Sequence, residues 1–187
     1  MISMKRALDL ARDKRTIAID GLPASGKSTL AEQLELRLGA VCLYLDDFVL
    51  PQDLWPRPLR PAYPFPYVRH ADFVAAALAL ARERICHFQP YDWENDRLGP
   101  LRTLAAGNRP IVIEGVSALD AALSPACDLR LWVASDPAST LETALARGGD
   151  PWPEAWQNYF LPSVDHYLLT EPIRRADHIV AGRGATP

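Results

Sequence analysis

Lysine is scarce in this chain. Lys5, Lys14 and Lys27 are the only three among 20 basic residues, which face 23 acidic ones for a formal charge of −3. That balance leaves no broad cationic face for a nucleic-acid backbone and points to a small-molecule partner. Cysteine is scarce too. Cys42, Cys86 and Cys127 are odd in number, scattered and without a C-x-x-C pair. That argues against a disulfide framework or zinc site and for a reducing compartment. No apolar run approaches the roughly 18–20 residues of a membrane span. The opening "MISMKRALDLARDKR" lacks the apolar core of a signal peptide and suits a short amphipathic helix. A soluble, cytoplasmic protein with no membrane or nucleic-acid partner is the expectation; the oligomeric state is left open.

What is present is ordinary globular material. With 49% hydrophobic and 23% charged residues in a length of 187, one domain with a proper core is expected over residues 1–187. Five short apolar runs, rich in β-branched residues, read as buried strands: "TIAID" from Thr16, "VCLYLD" from Val41, "IVIEG" from Ile111, "LRLWVAS" from Leu129 and "HIVAG" from His178. Helical patterns over Lys27–Leu38, Ala71–Cys86, Pro137–Arg147 and Trp156–Leu169 alternate with them. Such alternation predicts an α/β fold, a parallel sheet with helices on both faces. Two stretches fit no regular element. Pro51–Pro66 carries six prolines, a density that neither a helix nor a central strand tolerates. The other is "QPYDWENDRLGP", from Gln89 to Pro100.

The stretch "IAIDGLPASGKSTL" contains G-x-x-x-x-G-K-[ST] as Gly21, Gly26, Lys27 and Ser28, between an expected strand and an expected helix. In that context the motif is a phosphate-binding P-loop. Backbone N–H groups around Gly21, Ala24, Ser25, Gly26, Lys27, Ser28 and Thr29 would wrap the phosphates of ATP. Lys27 supplies a charge to the β/γ-phosphates, and the Ser28 hydroxyl is a ligand for Mg²⁺. Two further strands end in acids: "IVIEG" in Glu114, "VCLYLD" in Asp46 with Asp47 following. Both open on the carboxyl edge of the sheet, where ligands of α/β folds bind. Glu114 is the candidate metal partner, and Asp46 or Asp47 the candidate base that orients or deprotonates an attacking hydroxyl.

"GLPASGKSTLA", "YLDDFVLP", "IVIEGVSAL" and "NYFLPSVDHYLLTEPIRRADHIVAG", in that order, resemble the uridine kinase / phosphoribulokinase family of P-loop small-molecule kinases. The resemblance implies a P-loop NTPase three-layer α/β/α fold, its five-stranded parallel sheet in the order 2-3-1-4-5. It implies an acceptor-side insertion near residues 51–100 and a lid near residues 145–160. By motif match Asp46 is the base and Glu114 helps hold Mg²⁺, while Asp47 and Asp72 ("YVRHADF") and Tyr91, Asp92 and Trp93 ("PYDW") belong to the acceptor site. Arg147 is all that remains of the family's arginine-rich lid, and Arg183 stands where relatives place the nucleotide base. The histidine that reads a uracil or cytosine base is replaced near Asn95 and Asp96. The implied activity is transfer of a phosphoryl group from ATP to a hydroxyl of a small acceptor: a nucleoside, sugar or vitamin precursor. Two alternatives stand beside it. One is a cytidylate kinase-like nucleoside monophosphate kinase; the other is a nucleotide-dependent switch with a protein partner on the proline-rich loop.

Overall fold

The computed structural model describes residues 1–136, 143 and 153–185. Helix α1 (Met4–Ala11), capped by the Ser3 hydroxyl, leads into strand β1 (Thr16–Gly21), buried at every position. Helix α2 (Lys27–Leu38) and strand β2 (Val41–Tyr44) follow. After the proline-rich excursion come helix α3 (His70–Glu83) and four short strands: β3 (Ile85–Phe88), β4 (Tyr91–Asp92), β5 (Arg97–Leu98) and β6 (Arg102–Ala105). The remaining elements are β7 (Ile111–Glu114), β8 (Leu129–Ala134), helix α4 (Leu161–Leu168) and β9 (His178–Ala181).

The central sheet has five parallel strands in the order β2-β7-β1-β8-β9. Numbered among themselves, these strands stand 2-3-1-4-5, as expected. Near-continuous apolar strands form such sheets because both faces are covered. The period of two divides the strand residues between two cores. Ile17, Ile19, Val112, Leu131 and Val133 pack under α1 and α2; Ala18, Leu43, Ile111, Ile113 and Trp132 pack under α3 and Tyr167 of α4. The expected three-layer α/β/α arrangement is the one observed.

Three boundaries differ from the sequence reading, each for a packing reason. Strand β2 stops at Tyr44, and Leu45–Phe48 winds into a 3₁₀ turn. At three-residue spacing Leu45 and Phe48 point the same way, and both are buried. Phe48 lies between Phe73 and Phe88, with ring centroids 5.5 and 4.9 Å away. Burying such a ring contributes roughly 2–3 kcal/mol, more than two further strand residues could return. Helix α3 ends at Glu83, where Arg84 turns left-handed and its guanidinium binds the Gly107 and Arg109 carbonyls. The sequence reading ran the helix on to Cys86; instead β3 pairs antiparallel with β6 and buries Cys86 and Phe88 on one side. The helical pattern expected over Trp156–Leu169 is preceded by a short turn at Pro153–Ala155 and divides into a π-helical turn at Trp156–Phe160 and α4. The helix expected over Pro137–Arg147 lies, but for residue 143, outside the described residues, as does the first half of the expected lid.

Candidate active site

The P-loop is fixed from below by close backbone approach. A Cβ on Gly21, whose φ is 150°, would collide with the Val133 carbonyl. One on Gly182 would collide with the Ser25 carbonyl, so β8 and β9 grip the loop only because both positions lack side chains. The Arg183 N–H then donates to that Ser25 carbonyl at 3.0 Å. Helix α2 starts at Gly26 with no side-chain cap, which leaves its first-turn amides for an anionic ligand. Buried Lys27 donates from Nζ to the Leu22 carbonyl at 2.8 Å, across the span of the loop.

Above this cradle lies a cavity of about 310 Å³. Its floor is formed by residues 23–29, and Asp46, Glu114 and Arg183 share its lining. Glu114 ends β7, 4% exposed, and burial pushes its carboxyl up to about 7 against the opposing pull of Lys27; Asp46 and Asp20 push the same way as burial. The neighbouring acids are sorted by the 3₁₀ turn. Asp46 is exposed and faces the cavity, whereas Asp47 pairs with Arg102 at 3.6 Å. Burial raises the Asp47 carboxyl, and Arg102 opposes it. Arg69 secures the turn by donating to the Asp47 carbonyl at 3.2 Å and the Gln89 carbonyl at 2.6 Å.

The donor set suits Mg²⁺. Ser28, Glu114 and Asp46 offer oxygen atoms only, the ligands of a hard cation. Among the described residues no group of three or more His, Cys, Asp or Glu is arranged as a complete metal cage. Magnesium commonly takes one or two protein ligands and completes its shell with phosphate and water.

One residue of this centre escaped the sequence reading. Asp20, the last side chain of "TIAID", is fully buried, and its carboxylate accepts from three segments. The Gly21 N–H donates at 2.6 Å, those of Ser117 and Leu119 at 3.2 and 2.8 Å, and the Tyr167 hydroxyl of α4 at 2.5 Å. Burial raises the Asp20 carboxyl, while Tyr167 and the backbone donors hold it down. An acid closing an otherwise apolar, fully buried strand was the available signal, because a buried carboxylate requires such partners.

The expected acceptor residues scatter. Trp93 lines the cavity, 55% exposed. Tyr91 is buried and donates to Asp96 at 2.6 Å; Asp92 accepts from the backbone of Glu94 and Asn95 and from Arg97 in the β4–β5 turn. Asp72 lies on the exposed side of α3, 3.5 Å from Arg69. None of these three is part of the cavity lining, nor is Asp47. Arg147 lies outside the described residues. In their place the wall is Phe65, Tyr67, Trp156, Phe160 and Val164. These residues come from the end of the proline-rich loop, the π-helical turn and α4, and no motif spacing marked them.

Two solved structures share this arrangement over nearly their whole lengths. A possible uridine kinase from Bacillus stearothermophilus superposes with a TM-score of 0.74 at 22% identity, covering 95% of this chain and 96% of the other. A candidate fructose transport system kinase from Silicibacter sp. TM1040 gives 0.63 at 22% identity, with both chains fully covered. The chain has the P-loop kinase fold. Neither a family model nor a curated protein sequence matches it. The likeness thus lies in the fold.

Proposed function

We propose that the protein is an ATP-dependent kinase that phosphorylates a hydroxyl group of a small metabolite. The observation that carries this reading is a single one. Asp46 faces the P-loop across the cavity that also holds Lys27, Ser28 and Glu114. A hydrolase positions water; a kinase needs a carboxylate beside the attacking hydroxyl, and Asp46 is the residue proposed for that role.

In the reaction the acceptor oxygen forms a bond to the γ-phosphorus, the bond to the β–γ bridging oxygen breaks, and ADP leaves. Asp46 accepts or orients the hydroxyl proton. Lys27 exchanges the Leu22 carbonyl for the β/γ-phosphate oxygens, and the uncapped N-terminus of α2 stabilises their charge. When bound, Mg²⁺ neutralises charge between the β- and γ-oxygens; Ser28 and Glu114 would hold it. Arg147 is the proposed arginine for the transferred group, and Arg183 borders the nucleotide site.

The test is ADP release measured across a panel of alcohols, with Asp46→Asn alongside. Acceptor-stimulated release should fall about 10²–10⁴-fold in the variant, while a non-hydrolysable ATP analogue binds as in the wild type. A slow ATPase indifferent to every alcohol, and unchanged by Asp46→Asn, would overturn the reading.

A further inference from the structure

We infer that the acceptor is an alcohol carried on a small, uncharged ring or similar apolar body, and not a polyhydroxylated sugar or riboside. This rests on the kinase reading above.

The acceptor side of the cavity is aromatic. Tyr67 and Phe160 lie with ring centroids 4.4 Å apart, Trp156 and Phe160 5.3 Å, and Phe65 stacks on Tyr67 at 5.8 Å. Trp156 and Phe160 stand on a π-helical turn, an irregularity that occurs chiefly at functional sites. Aromatic walls recognise the face of a planar or apolar group.

Among the described residues, the groups that the family pattern offers for binding several hydroxyls are engaged elsewhere. Asp72 is held by Arg69 on the outer side of α3, and Asp47 by Arg102. Tyr67 interacts through its hydroxyl with Ser163, whose oxygen also accepts the Ala62 N–H at 3.2 Å. Tyr63 binds Asp120 and His70; Tyr91 binds Asp96. A sugar placed here would leave hydroxyls against aromatic carbon, unpaired and costly to desolvate. A single hydroxyl needs only one carboxylate, and Asp46 supplies it.

Charge and size narrow the choice further. Among the described residues the cations that line the cavity are Lys27 and Arg183, both at the P-loop end. An acceptor bearing a phosphate or carboxylate would meet the Asp46 carboxylate on its own side, while Arg147, in the kinase reading, is committed to the transferred group. The volume of about 310 Å³ lies at the small end for ligand sites and is shared with the terminal phosphates. One ring fits.

The experiment is calorimetric titration of the wild-type protein, saturated with Mg²⁺ and a non-hydrolysable ATP analogue. The probes are 3-pyridinemethanol, benzyl alcohol, uridine and fructose. The ring alcohols should bind, uridine and fructose more weakly or not at all. Trp156→Ala should weaken ring-alcohol binding about tenfold, and Trp156→Phe should recover most of it, with analogue affinity confirming the fold of each variant. Tighter binding of uridine or fructose overturns the inference, as does failure of both ring alcohols to bind or indifference to Trp156→Ala. Those results leave the kinase reading standing. Failure of the analogue itself to bind the wild-type protein brings down both.

Discussion

The two halves of the cavity are built in different ways. The donor half is local: β1, the P-loop and the start of α2 are consecutive in the chain, and their shape follows from glycines, a lysine and a helix N-terminus. The acceptor half is assembled from distant places. Asp46 comes from the turn after β2, Phe65 and Tyr67 from the proline-rich loop, and Trp156 and Phe160 from beyond residue 150. A phosphate presents the same shape to every P-loop, so one backbone solution serves; an acceptor has no such fixed shape, and its wall is set by whichever loops the sheet edge brings together. Asp20 joins the halves, with one bond to Gly21 on the donor side and one to Tyr167 on α4, the helix whose first residues follow Phe160.

Breaking that junction should have the largest effect on stability. Asp20→Asn replaces one accepting oxygen by an amide that faces N–H donors inside the core. A loss of about 3 kcal/mol is expected, read from the urea midpoint. An unchanged midpoint would show that the halves hold together without Asp20.

Glu114 tests the donor half alone, through pH. Its carboxyl is raised in the folded protein to about 7 from an ordinary 4.5. Between those values the folded state binds the extra proton, so stability is present below the lower value and falls as pH rises through the upper one. Glu114→Gln should therefore stabilise the ligand-free protein at pH 8 by on the order of 2 kcal/mol, with the gain vanishing near pH 4. It should also weaken Mg²⁺-dependent nucleotide binding. Parallel stability curves at both pH values would exclude the raised carboxyl.

Tyr167→Phe sharpens the comparison more finely, since it removes the Tyr167 hydroxyl from Asp20 and leaves the buried ring. About 1 kcal/mol is expected, with hydrogen exchange quickened in α4 ahead of the P-loop. Uniform quickening would mean that the two halves open as one unit. Smallest of all is Asp72→Ala: its exposed pair with Arg69 should contribute about 0–0.5 kcal/mol and leave acceptor binding unaltered. A large loss of acceptor affinity would return Asp72 to the site.

Local rules made much of this legible. Five β-branched runs, the glycine spacing and the acids after two strands marked the sheet, the P-loop, Asp46 and Glu114, because strand burial and phosphate binding act within a few residues. The sorting of Asp46 from Asp47, which the family resemblance alone suggested, was not legible in residue spacing. It depends on Phe48 seating between Phe73 and Phe88 and on Arg69 and Arg102 arriving from later in the chain. Tyr91 and Asp92 matched a family pattern, yet their polar atoms serve the small β4–β5 turn, where Asp96 and Arg97 take them up.

By itself, the sequence determined a parallel α/β sheet with a phosphate cradle at its carboxyl edge, since both arise from short-range periodicity and backbone freedom. Tertiary structure alone decided that Asp46 lines the cavity while Asp47 turns to Arg102, that Asp20 is the buried junction, and that one wall of the cavity is aromatic. Those outcomes rest on contacts between residues far apart in the chain, whose partners are chosen by packing and by the need to satisfy every buried polar group.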